Sequence, residues 1–173
     1  MQKRMKTAAL LMLLFVVTLT GCAGPQTVIV TVRHAEKVLG VSDPDLTPAG
    51  QARAQALATR LAGANIQAVY STDTRRTRQT ATPTANALGL TVQTYTSPAQ
   101  LAARVMSEHL GQNVLVVGHS NTVGSIVTAF GAELPDELPQ PINEDDFDNL
   151  VTIFVNNDRG AGAVHTTYGA PSP

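Results

Sequence analysis

Cysteine is nearly missing from this chain. Cys22 is the only one in 173 residues, which excludes a disulfide framework and any zinc site built on thiolates. Tryptophan is absent and aromatic residues make up only 4%, so Val, Leu, Ile and Ala must fill the interior. Charge of one sign is lacking too: 12 basic and 13 acidic residues leave a formal net charge of -1. Bulk electrostatics therefore give no footprint for a nucleic-acid partner. The four histidines are scattered without paired-ligand spacing, so no metal site is expected. Internal repeats are absent, and the length suits one domain with a single core.

What is present begins with a leader. Lys3, Arg4 and Lys6 precede an apolar run from Ala8 to Leu19, too short to span a bilayer comfortably and shaped like the h-region of an export signal. It ends in Leu19-Thr20-Gly21-Cys22, which resembles the lipobox of bacterial lipoproteins and implies that Cys22 is lipidated and becomes the mature N-terminus. An uncleaved membrane anchor with an incidental cysteine is the competing reading. Residues 1-22 are thus expected to be a lipoprotein signal peptide, 23-26 a short tether and 27-173 the folded domain. Stable anchoring takes more than one acyl chain, which a lipoprotein cysteine carries. The expected location is the bacterial cell envelope, lipid-anchored, facing the periplasm or the exterior.

The remainder alternates strands and helices. Thr27 to Arg33 is rich in β-branched residues and reads as a buried strand. Thr47 is a good N-cap and Pro48 suits the first helical position, while Ala54, Leu57, Ala58 and Leu61 repeat at helical spacing before Gly63. Ile66 to Tyr70 is a second strand, followed by a helix to about Leu88; Leu90 to Tyr95 is a third, and Ser97-Pro98 opens a helix to about Leu110. Asn113 to Gly118 is the fourth strand, leading to a helix from about Thr122 to Phe130. Leu134 to Pro141 reads as a surface loop, and Asn143 to Asn149 as a solvated acidic stretch able to rim a substrate cleft. Leu150 to Asn156 and Ala163 to Tyr168 are strands, with Arg159-Gly160-Ala161-Gly162 a turn between them. This order predicts an α/β fold: a three-layer α/β/α sandwich with a mainly parallel central sheet and right-handed crossovers.

Chemistry gathers where strands end. In open α/β sheets, ligands bind beyond the carboxyl ends of the strands. The first strand runs into Arg33-His34 and the fourth into Gly118-His119-Ser120-Asn121. Arg75, Arg76 and Arg78 crowd the first turn of a helix, where the dipole prefers anions. A bound phosphate would reverse that misfit for one of the three. Arg75 and Arg78 suit a solvated face, and His109, at a helix C-terminus, is explained by the dipole. His165 has no evident chemical company.

Three stretches in register, Val32-Arg33-His34, Tyr70-Ser71-Thr72 with Arg76-Thr77-Arg78-Gln79-Thr80-Ala81, and Val116 to Thr122, resemble the histidine phosphatase superfamily, also called phosphoglycerate mutase-like. The resemblance covers nearly all of the chain after the leader. It implies that His34 is the nucleophile that becomes phosphohistidine, that Arg33 and Arg76 hold the phosphoryl oxygens, and that His119 lines the same pocket. Asn121 lies close enough to His119 to line it too. Neutral imidazole attacks phosphorus at pH 7 without a general base, so no metal or cofactor is required. The expected partner is a phosphorylated small molecule or phosphoprotein, with the membrane engaged through lipid on Cys22.

Two departures stand out. Arg33-His34-Ala35 replaces the family's Arg-His-Gly, so Ala35 must accept a turn. The region Tyr95 to Gln100, where many members carry a Glu or Asp that protonates the leaving oxygen, has no carboxylate. Glu36, Asp43, Asp45 or Asp73 could substitute from neighbouring loops; alternatively the leaving group is good enough to need no acid, or catalysis is weak or lost. Short segments between the motifs leave little room for a lid, which disfavours mutase chemistry. A serine-hydrolase reading of Gly118 to Thr122 fails at its fifth position and leaves both arginines unexplained. The alternative of a different class is a non-catalytic lipoprotein that binds a phosphorylated ligand or partner.

Overall fold

The computed structural model describes residues 24–156 and 160–172, so the leader, Cys22, Ala23 and Arg159 lie outside the described residues. Those described form β1 (Gln26–Arg33), α1 (Pro48–Leu61), β2 (Ile66–Ser71), α2 (Arg75–Ala87), β3 (Val92–Thr94), α3 (Pro98–Glu108), β4 (Asn113–Gly118), α4 (Val123–Ala129), β5 (Asn149–Asn156) and β6 (Gly160–Thr167). Among them no helix is long and apolar enough to cross a membrane. The caps are those expected: the Thr47 hydroxyl accepts from the Gly50 N–H at 3.1 Å, and Ser97 from Gln100 at 3.3 Å. Gly160 to Gly162 are strand rather than turn; they pair through their backbones with Phe154 to Asn156, which a glycine-rich sequence does not signal.

The sheet order is β3-β2-β4-β1-β5-β6. β1 and β4 are apolar on both faces because helices cover both. Val30, Val32, Leu115 and Val117 pack with Leu57 and Leu61 of α1 and Ala81 and Ala85 of α2. Ile29, Val114 and Val116 face the other way, toward Leu101 and Val105 of α3 and Ile126 and Val127 of α4. The three layers are as expected, and the buried core of the described residues runs from Ile29 to Tyr168.

The sheet itself is mixed, not mainly parallel. β3, β2, β4 and β1 are parallel, but β5 runs antiparallel to β1 and β6 antiparallel to β5. The reason lies in the connection after α4. That loop is not purely superficial: Leu138 and Ile142 are buried in the core. It returns the chain to the carboxyl end of β1, where Leu150 pairs with Val32, and β5 can only run back toward Gln26.

β1 and β4 are adjacent, yet β1 leads into α1 on one face and β4 into α4 on the other. The seam between their carboxyl ends is therefore the switch point where an α/β sheet opens a crevice.

Candidate active site

His34 and His119 meet at that seam. The His34 N–H donates to the Gly118 carbonyl at 2.9 Å, carrying the β1–β4 ladder one residue further. Its ring Nδ1 lies 2.8 Å from the Ala35 carbonyl. A carbonyl only accepts, so Nδ1 carries the proton and Nε2 keeps its lone pair. The Ala35 N–H donates to Thr80 Oγ1 at 3.0 Å, and that hydroxyl donates to the Arg76 carbonyl at 2.8 Å. One side chain of α2 thereby fixes both the nucleophile's turn and the arginine's turn. Ala35 takes no left-handed backbone and buries its methyl against Leu46 and Ala54, so Gly is not needed there. It is needed at Gly50, where a Cβ would strike the Glu36 carbonyl.

His119 stands with its ring centroid 5.4 Å from that of His34, the planes at 71°. Arg76 Nη2 donates to its Nδ1 across 3.4 Å, so Nε2 carries the proton and donates to Thr72 Oγ1 at 2.8 Å. Thr72 donates in turn to Thr77 Oγ1 at 3.0 Å, and Thr77 to the Thr72 and Thr74 carbonyls at 2.9 and 3.0 Å. This hydroxyl chain fixes the orientation of His119. Nothing local in the sequence marks Thr72 and Thr77 for this role, since their partners are set by the fold.

The two arginines differ. Arg76 lines the cavity. Arg33 lies beneath it, 1% exposed, with Nη1 donating to the Asn143 and Asp146 carbonyls at 2.6 and 3.0 Å and Nη2 to Glu144 Oε2 at 3.0 Å. Its guanidinium stacks 4.3 Å from the centre of the Phe147 ring. In both arginines Nε is buried and has no partner. A buried orphan N–H is costly, and two cationic donors beside the histidines suit an anion.

The cavity measures about 470 Å³ and is lined by His34, Lys37, Arg76, His119, Ser120, Asn121, Pro141 and Glu144. Asn121 is on its exposed rim. Glu36 is not there. Its carboxylate is held by Arg53 at 2.8 to 3.1 Å, and Arg53 is also bound to the Tyr168 and Ala170 carbonyls, so Glu36 ties the turn to the C-terminal segment. Asp73 pairs with Arg78 at 2.6 Å. Asp43 accepts the Arg75 N–H at 2.9 Å and Asp45 pairs with the Arg75 side chain at 2.6 Å, so these carboxylates answer the basic first turn of α2. Asp43 also approaches Arg76 Nη1 at 3.8 Å.

Glu144 is the carboxylate at the site, and it comes from the acidic stretch expected only to rim a cleft. Oε1 accepts from Ser120 Oγ at 2.8 Å, while Oε2 accepts from Arg33 and lies 3.9 Å from Lys37 Nζ. No spacing in the sequence links position 144 to His34. His109, by contrast, is remote: its ring joins Tyr70 to Gln112. His165 does have company, with Nε2 donating to Asn149 Oδ1 at 2.7 Å.

Burial drives the electrostatics. It pushes His34 down to about 3, with Arg33 and Arg76 adding to the effect against the Ala35 hydrogen bond. His119 is held at about 4, again mainly by burial, then by Arg76, Lys37 and Arg33. Both are neutral at pH 7, and an unprotonated Nε2 is the form that attacks phosphorus. The Ser120 hydrogen bond holds Glu144 below the usual carboxylate range, with Arg33 and Lys37 helping. It is therefore ionised and has no proton to give.

The family model for the histidine phosphatase superfamily (branch 1) matches residues 29–97. No curated protein sequence matches the chain. Among solved structures, a putative phosphohistidine phosphatase from Agrobacterium tumefaciens is similar, with TM-score 0.59, 22% identity and coverage of 84% of this chain and 99% of that one. A phosphoserine phosphatase from Entamoeba histolytica, solved with phosphoserine, gives 0.59 and 15%, covering 83% and 97%. A mycobacterial glucosyl-3-phosphoglycerate phosphatase gives 0.64 and 15%, covering 84% and 99%. At these identities the likeness is one of fold, and the three proteins are named for different phosphates.

Proposed function

We propose that this chain is a member of the histidine phosphatase superfamily and a metal-independent phosphatase that hydrolyses a phosphomonoester or phosphohistidine through a phosphohistidine on His34. The observation that carries the reading is the His34 tautomer: Nδ1–H is tied to the Ala35 carbonyl, leaving Nε2 free beside His119, with Arg33 and Arg76 each holding a spare buried donor. Nε2 attacks phosphorus, the bond to the leaving atom breaks, and its electron pair departs with the leaving group. Water then attacks the phosphohistidine, the N–P bond breaks, His34 recovers its lone pair and inorganic phosphate leaves. Charge on the equatorial oxygens is met in the cavity by Arg76 and Lys37, with the Arg33 charge buried beneath it.

Among the described residues Glu36 and Glu144 are not poised as acids for the leaving group, because Glu36 is tied to Arg53 and Glu144 is held ionised. Substrates whose leaving group departs without a proton are favoured, phenolic esters and phosphohistidine over alkyl phosphates. The lipobox at Leu19 to Cys22 supports export and lipid anchoring in the bacterial cell envelope.

The test is hydrolysis of p-nitrophenyl phosphate by the chain lacking residues 1–22, in EDTA, beside His34→Ala. Turnover that is lost in His34→Ala, with radiolabel trapped on His34 in the parent, is the expected result. Absence of turnover by a folded protein that still binds phosphate would replace the enzyme with a phosphate-binding lipoprotein.

A further inference from the structure

Among the residues lining the pocket, one opposes an anion. Lys37 and Arg76 line it as cations, with Arg33 beneath, yet Glu144 lines it too and is ionised. A phosphoryl dianion would share about 470 Å³ with a carboxylate, an arrangement that like charges disfavour. Glu144 is nevertheless fixed in place. Its Oε2 accepts from the buried Arg33 at 3.0 Å and its Oε1 from Ser120 at 2.8 Å. Those are two of the roughly four hydrogen bonds that an ionised carboxylate accepts. Lys37 Nζ, at 3.9 Å, is too distant to fill a third, and the side chain is 68% exposed, so acceptor capacity stays open to a ligand.

The leaving group supplies a second, independent observation. Glu36 is tied to Arg53 and Glu144 has no proton to give, so the leaving atom receives none from either. A leaving atom that already carries its proton meets that condition. Where the proton also makes the leaving group cationic, it offsets the charge of Glu144.

We propose that Glu144 is a specificity-determining residue that selects substrates whose phosphoryl group sits on a positively charged leaving group, a protonated phosphoramidate nitrogen rather than an ester oxygen; this rests on the phosphatase reading above. The step balances. His34 Nε2 attacks phosphorus, the P–N bond breaks, and its electron pair goes to the leaving nitrogen, which departs as a neutral amine or imidazole. The positive charge passes to the His34 ring, whose Nδ1–H stays on the Ala35 carbonyl. An ester would instead release an oxyanion into a cavity that already holds a carboxylate.

The test uses the full chain in detergent, parent and Glu144→Gln. Calorimetry at about pH 9 compares aminomethylphosphonate with its isostere ethylphosphonate, where both are dianions and the first keeps its ammonium. The expected result is that the preference for aminomethylphosphonate over ethylphosphonate falls about fivefold in Glu144→Gln, the effect of one unit charge about 4 Å away in water. Turnover gives a second readout: kcat/KM for phosphoimidazole relative to p-nitrophenyl phosphate should fall by the same factor. A ratio that holds or rises in the variant would overturn the assignment and leave Glu144 as a partner of Arg33 alone. The phosphatase reading fails separately, through absent p-nitrophenyl phosphate turnover with His34 intact, and the phosphonate comparison, which needs no turnover, still decides the role of Glu144.

Discussion

Replacing Glu144 by Gln should make the pocket bind phosphate more tightly. Glu144 places its carboxylate against Arg33 at 3.0 Å, Ser120 at 2.8 Å and Lys37 at 3.9 Å, donors that an incoming phosphoryl group also seeks. Substrate must either displace this carboxylate or share the cavity with it. Two unit charges about 4 Å apart interact by roughly 1 kcal/mol in water and about 4 kcal/mol at an effective dielectric of 20. Because the Glu144 side chain is 68% exposed, the lower end applies. A phosphoryl dianion thus gains roughly 1 to 2 kcal/mol when the charge is removed, about a fivefold to thirtyfold change in affinity.

The assay is the inhibition constant of inorganic phosphate against p-nitrophenyl phosphate hydrolysis, which should fall by that factor in Glu144→Gln, with KM falling alongside. Gln is isosteric: its oxygen accepts from Arg33 while its NH2 donates to the Ser120 hydroxyl oxygen, so thermal stability should hold. The pH dependence supplies a second arm. Because Glu144 is ionised down to a depressed pKa, the gap between parent and variant should narrow near neutral pH as phosphate passes from dianion to monoanion, then hold to about pH 5 and close only below the ordinary carboxylate range. A phosphate constant that rises or stays put would refute the reasoning and make Glu144 an orienting partner of Arg33.

Glu36→Gln should leave the dependence of rate on leaving-group pKa unchanged while lowering stability by about 3 kcal/mol, because Arg53 is 6% exposed and would lose its counter-charge; urea midpoints and a series of aryl phosphates check both. Arg76→Ala should cut kcat/KM by roughly a hundredfold in a folded protein, whereas Arg33→Ala should unfold first, since it removes a buried side chain that ties the Asn143 and Asp146 carbonyls to β1 and empties the space over Phe147. Calorimetry beside kinetics separates the two. Stability should also fall with acid. His34 and His119 fold at about 3 and about 4 against an unfolded value near 6.5, so their neutral-state contribution is complete above pH 6.5 and is lost as pH falls toward those values. His34→Gln should flatten that slope by up to roughly 1.4 kcal/mol per pH unit between pH 6.5 and 4.5.

The order of elements was legible because each carried a local signal: β-branched runs for β1 and β4, Thr47 with Pro48 and Ser97 with Pro98 for two helix starts. His34, Arg76, His119 and Asn121 were legible for a related reason, since topology alone sends strand ends and the α2 start to one edge. What stayed hidden depends on partners distant in sequence. Nothing local tells Glu36, two residues past His34, that Arg53 will claim it across 17 positions. Nor does Arg33 announce that its guanidinium will be packed under residues 110 to 113 positions away rather than left open to the cavity. Strand direction is hidden in the same way, because β5 has the same apolar pattern whichever way it runs.

The mixed sheet and the carboxylate at the site are one fact. A parallel β5 would have needed the chain to reach the amino end of β1 before entering the sheet, carrying Asn143 to Asp148 away from the histidines. Because Leu138 and Ile142 instead anchor the return path in the core, the chain enters beside Val32, and the acidic stretch just before it must cross the mouth of the crevice. Arg33 is satisfied there by three groups of that stretch, which is why it is buried rather than lining the cavity. An insertion or deletion between Gly131 and Ile142 should therefore alter phosphate affinity without touching a pocket residue, by moving Glu144 relative to Arg33.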